Sequence, residues 1–98
     1  MYIVTVTFEI GPGFEDRFQA AVLQQSSNSL ALEAECHVFD VAKSDDERGL
    51  FFLYEQYTSE AAFGVHLESS HFAEFDALVA PWVRKKTVVT WALLERRS

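Results

Sequence analysis

YEQYTSEAAFGVHLESSHF, residues 54–72, is the segment from which the architecture of this chain follows most directly. It begins with polar and aromatic residues in the alternation that is typical of a strand. Ser59 then offers the side-chain oxygen that commonly caps the first turn of a helix, and Ala62, Phe63 and His66 follow within that helix. The segment therefore predicts a strand-to-helix junction that places two histidines near a Phe-rich surface.

Strands and helices alternate on both sides of this junction. Residues 2–10 alternate between apolar and polar side chains, which predicts a half-buried strand. Gly11-Pro12-Gly13 breaks that strand, and the following apolar spacing predicts a helix to about Leu32. Two more strands are predicted over residues 36–43 and 50–57, around a charged turn that ends in Gly49. Ser69-Ser70 can cap a further helical segment that ends at Pro81, and residues 87–95 are again typical of a strand.

The resulting order βαββαβ predicts an α+β, ferredoxin-like fold in a single domain over residues 1–98. In this fold an antiparallel sheet carries its helices on one face. The other face needs cover, and the chain is 49% hydrophobic and 14% aromatic. Two such sheets packed face to face would bury that surface, so we expect a homodimer.

Composition excludes several classes of partner. The net charge of −7 repels phosphate backbones and anionic lipids, so neither nucleic acid nor a membrane is an expected partner. The basic residues 84–86 are expected in a solvated turn, although they could also form an anion gate beside a pocket. The single Cys36 fits a reducing compartment, and neither a leader nor a spanning segment is evident. A soluble, cytoplasmic protein is the expectation.

Metal and nucleophilic chemistry find little support in the sequence. His66 and His71 are five residues apart, which is not the spacing that puts two ligands on one helix face, so no metal is expected. Cys36 opens an apolar strand and is expected to be a small buried side chain. The chain contains neither a GxSxG element nor a glycine-rich nucleotide loop.

The remaining possibilities are acid–base chemistry or the binding of an aromatic ligand. Glu55 and Tyr57 share a strand face with apolar residues, so Glu55 must pair with another group, lie at an edge or line a cavity. His66 and His71 could exchange protons near neutral pH if they are partly desolvated. Alternatively, Glu55 is paired across the sheet, and the histidines are hydrogen-bonded at a subunit boundary.

Three sequence elements resemble the antibiotic biosynthesis monooxygenase family of small dimeric α+β barrels. These are the strand–GPG–helix opening with Phe18, the run from Ser29 to Asp40, and the YExY…H…SxHF block, which is the most specific. The family usually has Glu-Pro-Gly-Cys where this chain has Glu33-Ala34-Glu35-Cys36. Many relatives have an Asn near the position of Gln25. The haem-degrading branch is a poor match, because its Asn on the first strand and its Trp in the second helix are absent.

The resemblance implies a cofactor-free monooxygenase that deprotonates a quinol-like or polycyclic aromatic substrate, whose anion reacts with O2. His66 would be the general base, and Glu55 or Tyr57 would orient it or polarise the substrate. Further residues expected to bind the small-molecule substrate are His71, Phe52, Phe72, Gln25 and Trp91. The alternatives are an isomerase or degradation enzyme for a small phosphorylated metabolite such as autoinducer-2, or a ligand-binding dimer without catalysis.

Overall fold

The computed structural model describes residues 1–97; Ser98, the last residue of the predicted domain, lies outside them. The elements are β1 (Tyr2–Ile10), α1 (Glu15–Leu32), β2 (Cys36–Lys43), β3 (Leu50–Tyr57), α2 (Glu60–Glu68), α3 (Ser70–Val79) and β4 (Val83–Ala92), with a 3-10 turn at Ala80–Trp82. The strands form one antiparallel sheet in the order β2-β3-β1-β4. The predicted α+β, ferredoxin-like βαββαβ fold is confirmed.

Apolar side chains of β1 form the centre of the core. Val4, Val6, Phe8 and Ile10 alternate toward the helices, as their spacing predicts, and all four are buried. The Phe8 ring centroid lies 4.9 Å from that of Phe18 on α1, whose centroid lies 4.8 Å from that of Phe51 on β3. This aromatic cluster joins the sheet to α1 and positions the second half of that helix above β2 and β3.

Two serines fix the ends of the short helices as the sequence predicts. The Ser59 Oγ accepts a hydrogen bond from the Ala62 backbone N–H at the start of α2. Ser69 separates α2 from α3: its Oγ accepts from the Phe72 N–H and donates to the carbonyl of His66 at 2.7 Å. Because the chain turns at Ser69, side chains from two different helices can converge on one site.

The last strand is longer at its start than predicted. It begins at Val83, so residues 84–86 belong to β4, and the predicted turn there is wrong. Lys85 pairs in register with Glu9, and their side chains are 4.0 Å apart. Charged residues are tolerated in β4 because it is an edge strand, most of whose side chains are exposed.

Apolar side chains also occupy the sheet face that points away from the helices, here called the open face. Phe52 is 43% exposed, and Trp91 is 54% exposed while its Nε1 donates to the Thr5 Oγ1. The alternation of β3 puts Phe51 in the core and Phe52 on the open face. Phe52 and Trp91, which were expected to bind the substrate, therefore lie on the face opposite the helices. Within residues 1–97, no helix is both long and apolar enough to span a membrane.

Gly49 is a position where the turn between β2 and β3 requires glycine. Its φ is +84°, and a Cβ there would lie 2.7 Å from the Ile10 carbonyl oxygen. We expect Gly49→Ala to lower the free energy of unfolding by about 1–3 kcal/mol, measured by urea denaturation.

Gly64 in α2 provides the matched control, since a Cβ there has no atom within 4 Å. Gly64→Ala should raise the stability by about 0.5–1 kcal/mol. Equal effects of the two substitutions would contradict the role assigned to Gly49.

Candidate active site

A small cavity lies between the helices and the helix-facing side of the sheet. Its polar lining residues are Gln25, Glu55, His66 and Lys86, and the other lining residues are apolar. The space available to water is about 40 Å³, enough for one or a few molecules. Exposed or partly exposed side chains, among them Leu67, Phe72 and Lys86, form its rim. A flat aromatic ligand would therefore enter only if side chains of the rim moved.

His66 is held in one orientation by a carboxylate and by aromatic rings. Its Nδ1 donates to the Glu33 Oε2 at 2.8 Å, because a carboxylate oxygen can only accept. The ring stacks on Phe63 at 6.0 Å and meets Phe72 edge-on at 5.1 Å. Its other nitrogen, Nε2, has no hydrogen-bond partner within residues 1–97. The arrangement thus leaves Nε2 as the free basic atom of a residue that lines the cavity.

Burial lowers the pKa of His66, although its hydrogen bond to Glu33 opposes this effect. The side chain is 4% exposed, which favours the neutral imidazole. A neutral imidazole with a carboxylate on Nδ1 is the arrangement that general bases use in hydrolases. His66 can therefore accept a proton from a group in the cavity, and Glu33 can stabilise the imidazolium that results.

Glu33 was not predicted as a site residue, although its sequence run was noted. It is the C-cap of α1, where it accepts both the His66 Nδ1–H and, on the same oxygen, the His71 Nε2–H at 2.5 Å. Glu33 and His66 are 33 residues apart in the chain. Only the tertiary fold brings them together, so helical spacing gave no signal for this contact.

The same cluster bears on metal binding. Ligand atoms of Glu33, His66 and His71 all lie within 4.8 Å of one another, so the spacing of the two histidines does not keep them apart. The histidines converge because they lie on different helices. However, their contacts to Glu33 are hydrogen bonds of 2.5 and 2.8 Å. Ligands around zinc, at bond lengths of about 2.0–2.1 Å, stand more than ~3 Å apart, so this geometry suits shared protons better than an ion.

His71 does not line the cavity as expected of a substrate-binding residue. It lies on the far side of Glu33, in a groove between α1 and α3 that also contains Gln24, Asn28 and Glu74. Gln25 and Phe72 do line the cavity. The predicted set is thus divided: Gln25, Glu55, His66 and Phe72 share the cavity, Tyr57 and His71 lie behind it, and Phe52 and Trp91 face away.

Glu55 forms the second acid–base group. Its side chain accepts a hydrogen bond of 2.6 Å from the Tyr57 hydroxyl on the same strand face. Burial raises the pKa of Glu55 from its ordinary value of 4.5 to about 7, while Tyr57 and Lys86 oppose the shift. Burial also raises the pKa of the Tyr57 hydroxyl, which therefore remains a donor. Glu55 can consequently be a neutral acid that donates a proton at the cavity.

Lys86 is the one cationic residue among those lining the cavity. Its Nζ lies 5.3 Å from the ring centroid of Phe72 and 5.5 Å from that of Phe8. Asp76 pairs with it at 3.6 Å. Arg84 and Lys85 do not line this space. The basic cluster therefore contributes a single charge at the rim, which could attract an anionic group.

Polar side chains on α1 face the interior at intervals of one helical turn. Gln25, Ser29 and Glu33 are buried at positions i, i+4 and i+8. Within residues 1–97, both amide atoms of Gln25, the Ser29 Oγ and the Glu33 Oε1 lack hydrogen-bond partners. Buried polar atoms are normally hydrogen-bonded, so water or a ligand is expected beside them.

The buried Cys36 thiol is not equipped for nucleophilic attack. Burial, together with Glu33 and Glu55, raises its pKa to about 12. The thiolate is the reactive form, so this side chain is inert at neutral pH.

Comparisons with known proteins agree with the fold and indicate a family. The family model described as antibiotic biosynthesis monooxygenase matches residues 1–78. A candidate antibiotic biosynthesis monooxygenase from Nitrosomonas europaea is 25% identical, with 97% of this chain and 100% of that chain covered and a TM-score of 0.91. A protein from Mycobacterium tuberculosis is 26% identical, with 99% and 98% covered and a TM-score of 0.89. A Caulobacter crescentus protein is 22% identical, with 96% of this chain and 90% of that chain covered and a TM-score of 0.91. At this identity the similarity supports the fold and nothing further.

The raised pKa of Glu55 predicts a specific pH dependence of stability. A carboxyl whose folded pKa is raised stabilises the fold below pH 4.5, and this stability is lost as the pH rises through about 7. We expect Glu55→Gln to remove this decrease in the free energy of unfolding, which is on the order of 3 kcal/mol. Urea unfolding of both proteins at pH 4.5 and 7.5 measures it.

Glu74→Gln is the matched control, since Glu74 is exposed on α3. Its stability should follow that of the unmodified protein at both pH values. Parallel pH profiles for Glu55→Gln and the unmodified protein would show that Glu55 is not held neutral.

Proposed function

Because the chain belongs to the antibiotic biosynthesis monooxygenase family, we propose that it is a cofactor-independent monooxygenase acting on a quinol-like or polycyclic aromatic substrate. The observation that carries this proposal is the His66 imidazole, whose Nδ1–H is bound to Glu33 while Nε2 has no partner. Such a base can remove the acidic proton of a phenol or a related C–H acid. The mainly apolar cavity lining suits a flat aromatic ring.

The reaction begins with transfer of a substrate proton to the His66 Nε2. The carboxylate of Glu33 stabilises the imidazolium, and Lys86 at the rim stabilises the substrate anion. Ionised Glu55 would repel that anion. Neutral Glu55, whose pKa is raised to about 7 by burial, can instead donate a hydrogen bond to the anionic oxygen.

The anion then supplies the electrons that reduce O2. A ring carbon of the anion forms a bond to one oxygen atom, which gives a peroxide after protonation. Cleavage of the O–O bond, with loss of the proton on that carbon, leaves a carbonyl on the ring and releases the second oxygen as water. A quinol thereby becomes a hydroxyquinone by giving up four electrons, so the balance requires neither an added reductant nor a flavin.

Gln25 is proposed to orient the substrate. Gln25 is 2% exposed and lines the cavity, and its amide has a donor and an acceptor atom without a partner among residues 1–97. A substrate with a hydroxyl beside a carbonyl would satisfy both atoms at once. Phe72 is proposed to pack against the ring of that substrate.

A phosphorylated metabolite is a weaker candidate. A phosphate dianion needs several converging donors or cations, and Lys86 alone of residues 84–86 lines the cavity. No observation on the cavity therefore favours the isomerase over the oxygenase. The ligand-binding dimer without catalysis makes a different prediction for His66, which the turnover experiment tests.

We expect His66→Ala to reduce turnover by about 10²–10⁴-fold, because it removes the base. The measurement is oxygen consumption by metal-free and flavin-free protein with a panel of quinols and anthrone-type substrates. His37→Ala is the control, since His37 is exposed on β2 and bonds only to Thr58 among the described residues. Saturable uptake that His66→Ala leaves intact would remove His66 from the mechanism.

We also propose that the protein is a homodimer joined through the open face. The exposed Phe52, Val89 and Trp91 on this face support an interface more apolar than an ordinary surface. In a face-to-face dimer they would be buried between two sheets.

Phe52→Lys should shift the protein from dimer to monomer, because two cations would then be buried in the interface. Light scattering coupled to size exclusion measures the mass. Val65→Lys is the matched control, since Val65 is 60% exposed on α2 and away from that face. A monomeric unmodified protein, or loss of the dimer in both variants, would contradict the proposed interface.

A further inference from the structure

One carboxylate oxygen of Glu33 serves two histidines. The Oε2 atom accepts from the His66 Nδ1 at 2.8 Å and from the His71 Nε2 at 2.5 Å, and all three side chains are buried. Neither lysine nor arginine forms an ion pair with Glu33 in the described part of the chain. A positive charge in contact with a buried carboxylate stabilises it, and the two histidines are the residues hydrogen-bonded to Glu33 that can carry one.

The surroundings of the two rings differ. His66 is enclosed by the aromatic rings of Phe39, Tyr57, Phe63 and Phe72, at centroid distances of 5.1–6.1 Å. His71 instead lines the groove between α1 and α3, beside the polar Gln24, Asn28 and Glu74. A cation is solvated better in the groove than among aromatic side chains. The positive charge is therefore better placed on His71.

We propose that His71 is a positioning residue: its imidazolium neutralises Glu33 through the shared oxygen and so leaves His66 as a neutral base with its proton on Nδ1. This inference rests on the proposed role of His66. It adds that a residue outside the cavity, on the other side of Glu33, controls the protonation state of that base. His71 touches no substrate in this scheme. Its effect passes through one oxygen atom of Glu33.

Loss of His71 should make His66 easier to protonate. The Glu33 carboxylate would then interact with His66 as its only histidine partner, and the repulsion from the His71 cation would be absent. Both changes raise the pKa of His66, in the directions that Glu33 and His71 exert on it. The other titratable groups facing this site are Cys36 from β2, Glu55 and Tyr57 from β3, Glu74 from α3, and Lys86 from β4. They are unchanged by substitution of His71.

The first test is the ¹⁵N NMR spectrum of the histidine rings in the unmodified protein, which needs no substrate. At pH 7 we expect both nitrogens of His71 to carry protons, and the Nε2 of His66 to carry none. A neutral His71, or a His66 proton on Nε2, would overturn the proposal. Tight one-to-one binding of Zn²⁺ that perturbs both rings would also overturn it, since the cluster would then be a metal centre.

The second test compares His71→Gln with His71→Leu. Gln retains a donor for Glu33 without the charge, whereas Leu retains neither. We expect the NMR titration midpoint of His66 to rise by about one pH unit in both variants, while Gln keeps the Nδ1–H tautomer. An unchanged midpoint in a folded variant would show that His71 has only a structural role.

Turnover then links the cluster to catalysis. At pH values below the titration midpoint of His66, kcat/KM of His71→Gln should be about tenfold lower than that of the unmodified protein. The reason is that a midpoint raised by one pH unit lowers the neutral fraction of His66 tenfold there. At higher pH it should match the unmodified protein. A uniform loss at all pH values would overturn the positioning role. If no substrate is turned over, the proposed function fails while the NMR measurements still decide the state of His71.

Discussion

The carboxylate of Glu33 is the group on which the arrangement of the helices and of the candidate site depends. Glu33 is the C-cap residue of α1, and its carboxylate accepts one hydrogen bond from α2 and one from α3. Burying a charge costs several kcal/mol unless its partners are well placed. The two charge-assisted hydrogen bonds therefore hold three helix ends in one relative position. The wall of the cavity that carries His66 is fixed by the same contacts.

This convergence follows from the break at Ser69. In a continuous helix, residues five apart point to different faces. Ser69 ends α2 and caps α3, so the chain turns between the two histidines. Its hydroxyl also donates to the carbonyl of His66, which anchors the last turn of α2. One serine thus determines both the ends of two helices and the directions of two functional side chains.

The sequence was sufficient for elements whose signal is local. The alternation in β1, the serine caps and the glycine turn at Gly49 depend on neighbouring residues, and the structure has them as predicted. Assignments that depend on which face is covered need more than a local signal. Phe52 and Trp91 have the composition of cavity walls, but strand alternation puts them on the open face. The Glu33 contacts span 33 and 38 residues, a separation over which periodicity carries no information.

A single physical effect, burial, shifts the pKa values of both acid–base groups of the cavity. Burial disfavours charge, so it lowers the pKa of His66 and raises that of Glu55, and both side chains tend to be neutral before a substrate arrives. In the proposed reaction, proton transfer to His66 would create an imidazolium and an anion in an apolar space. Glu33 lies behind the first of these charges, and Lys86 lies at the rim beside the second. Groups that are already in position would therefore stabilise both charges of the proposed reaction. In this way an apolar cavity whose own side chains are neutral can still favour ionisation of its ligand.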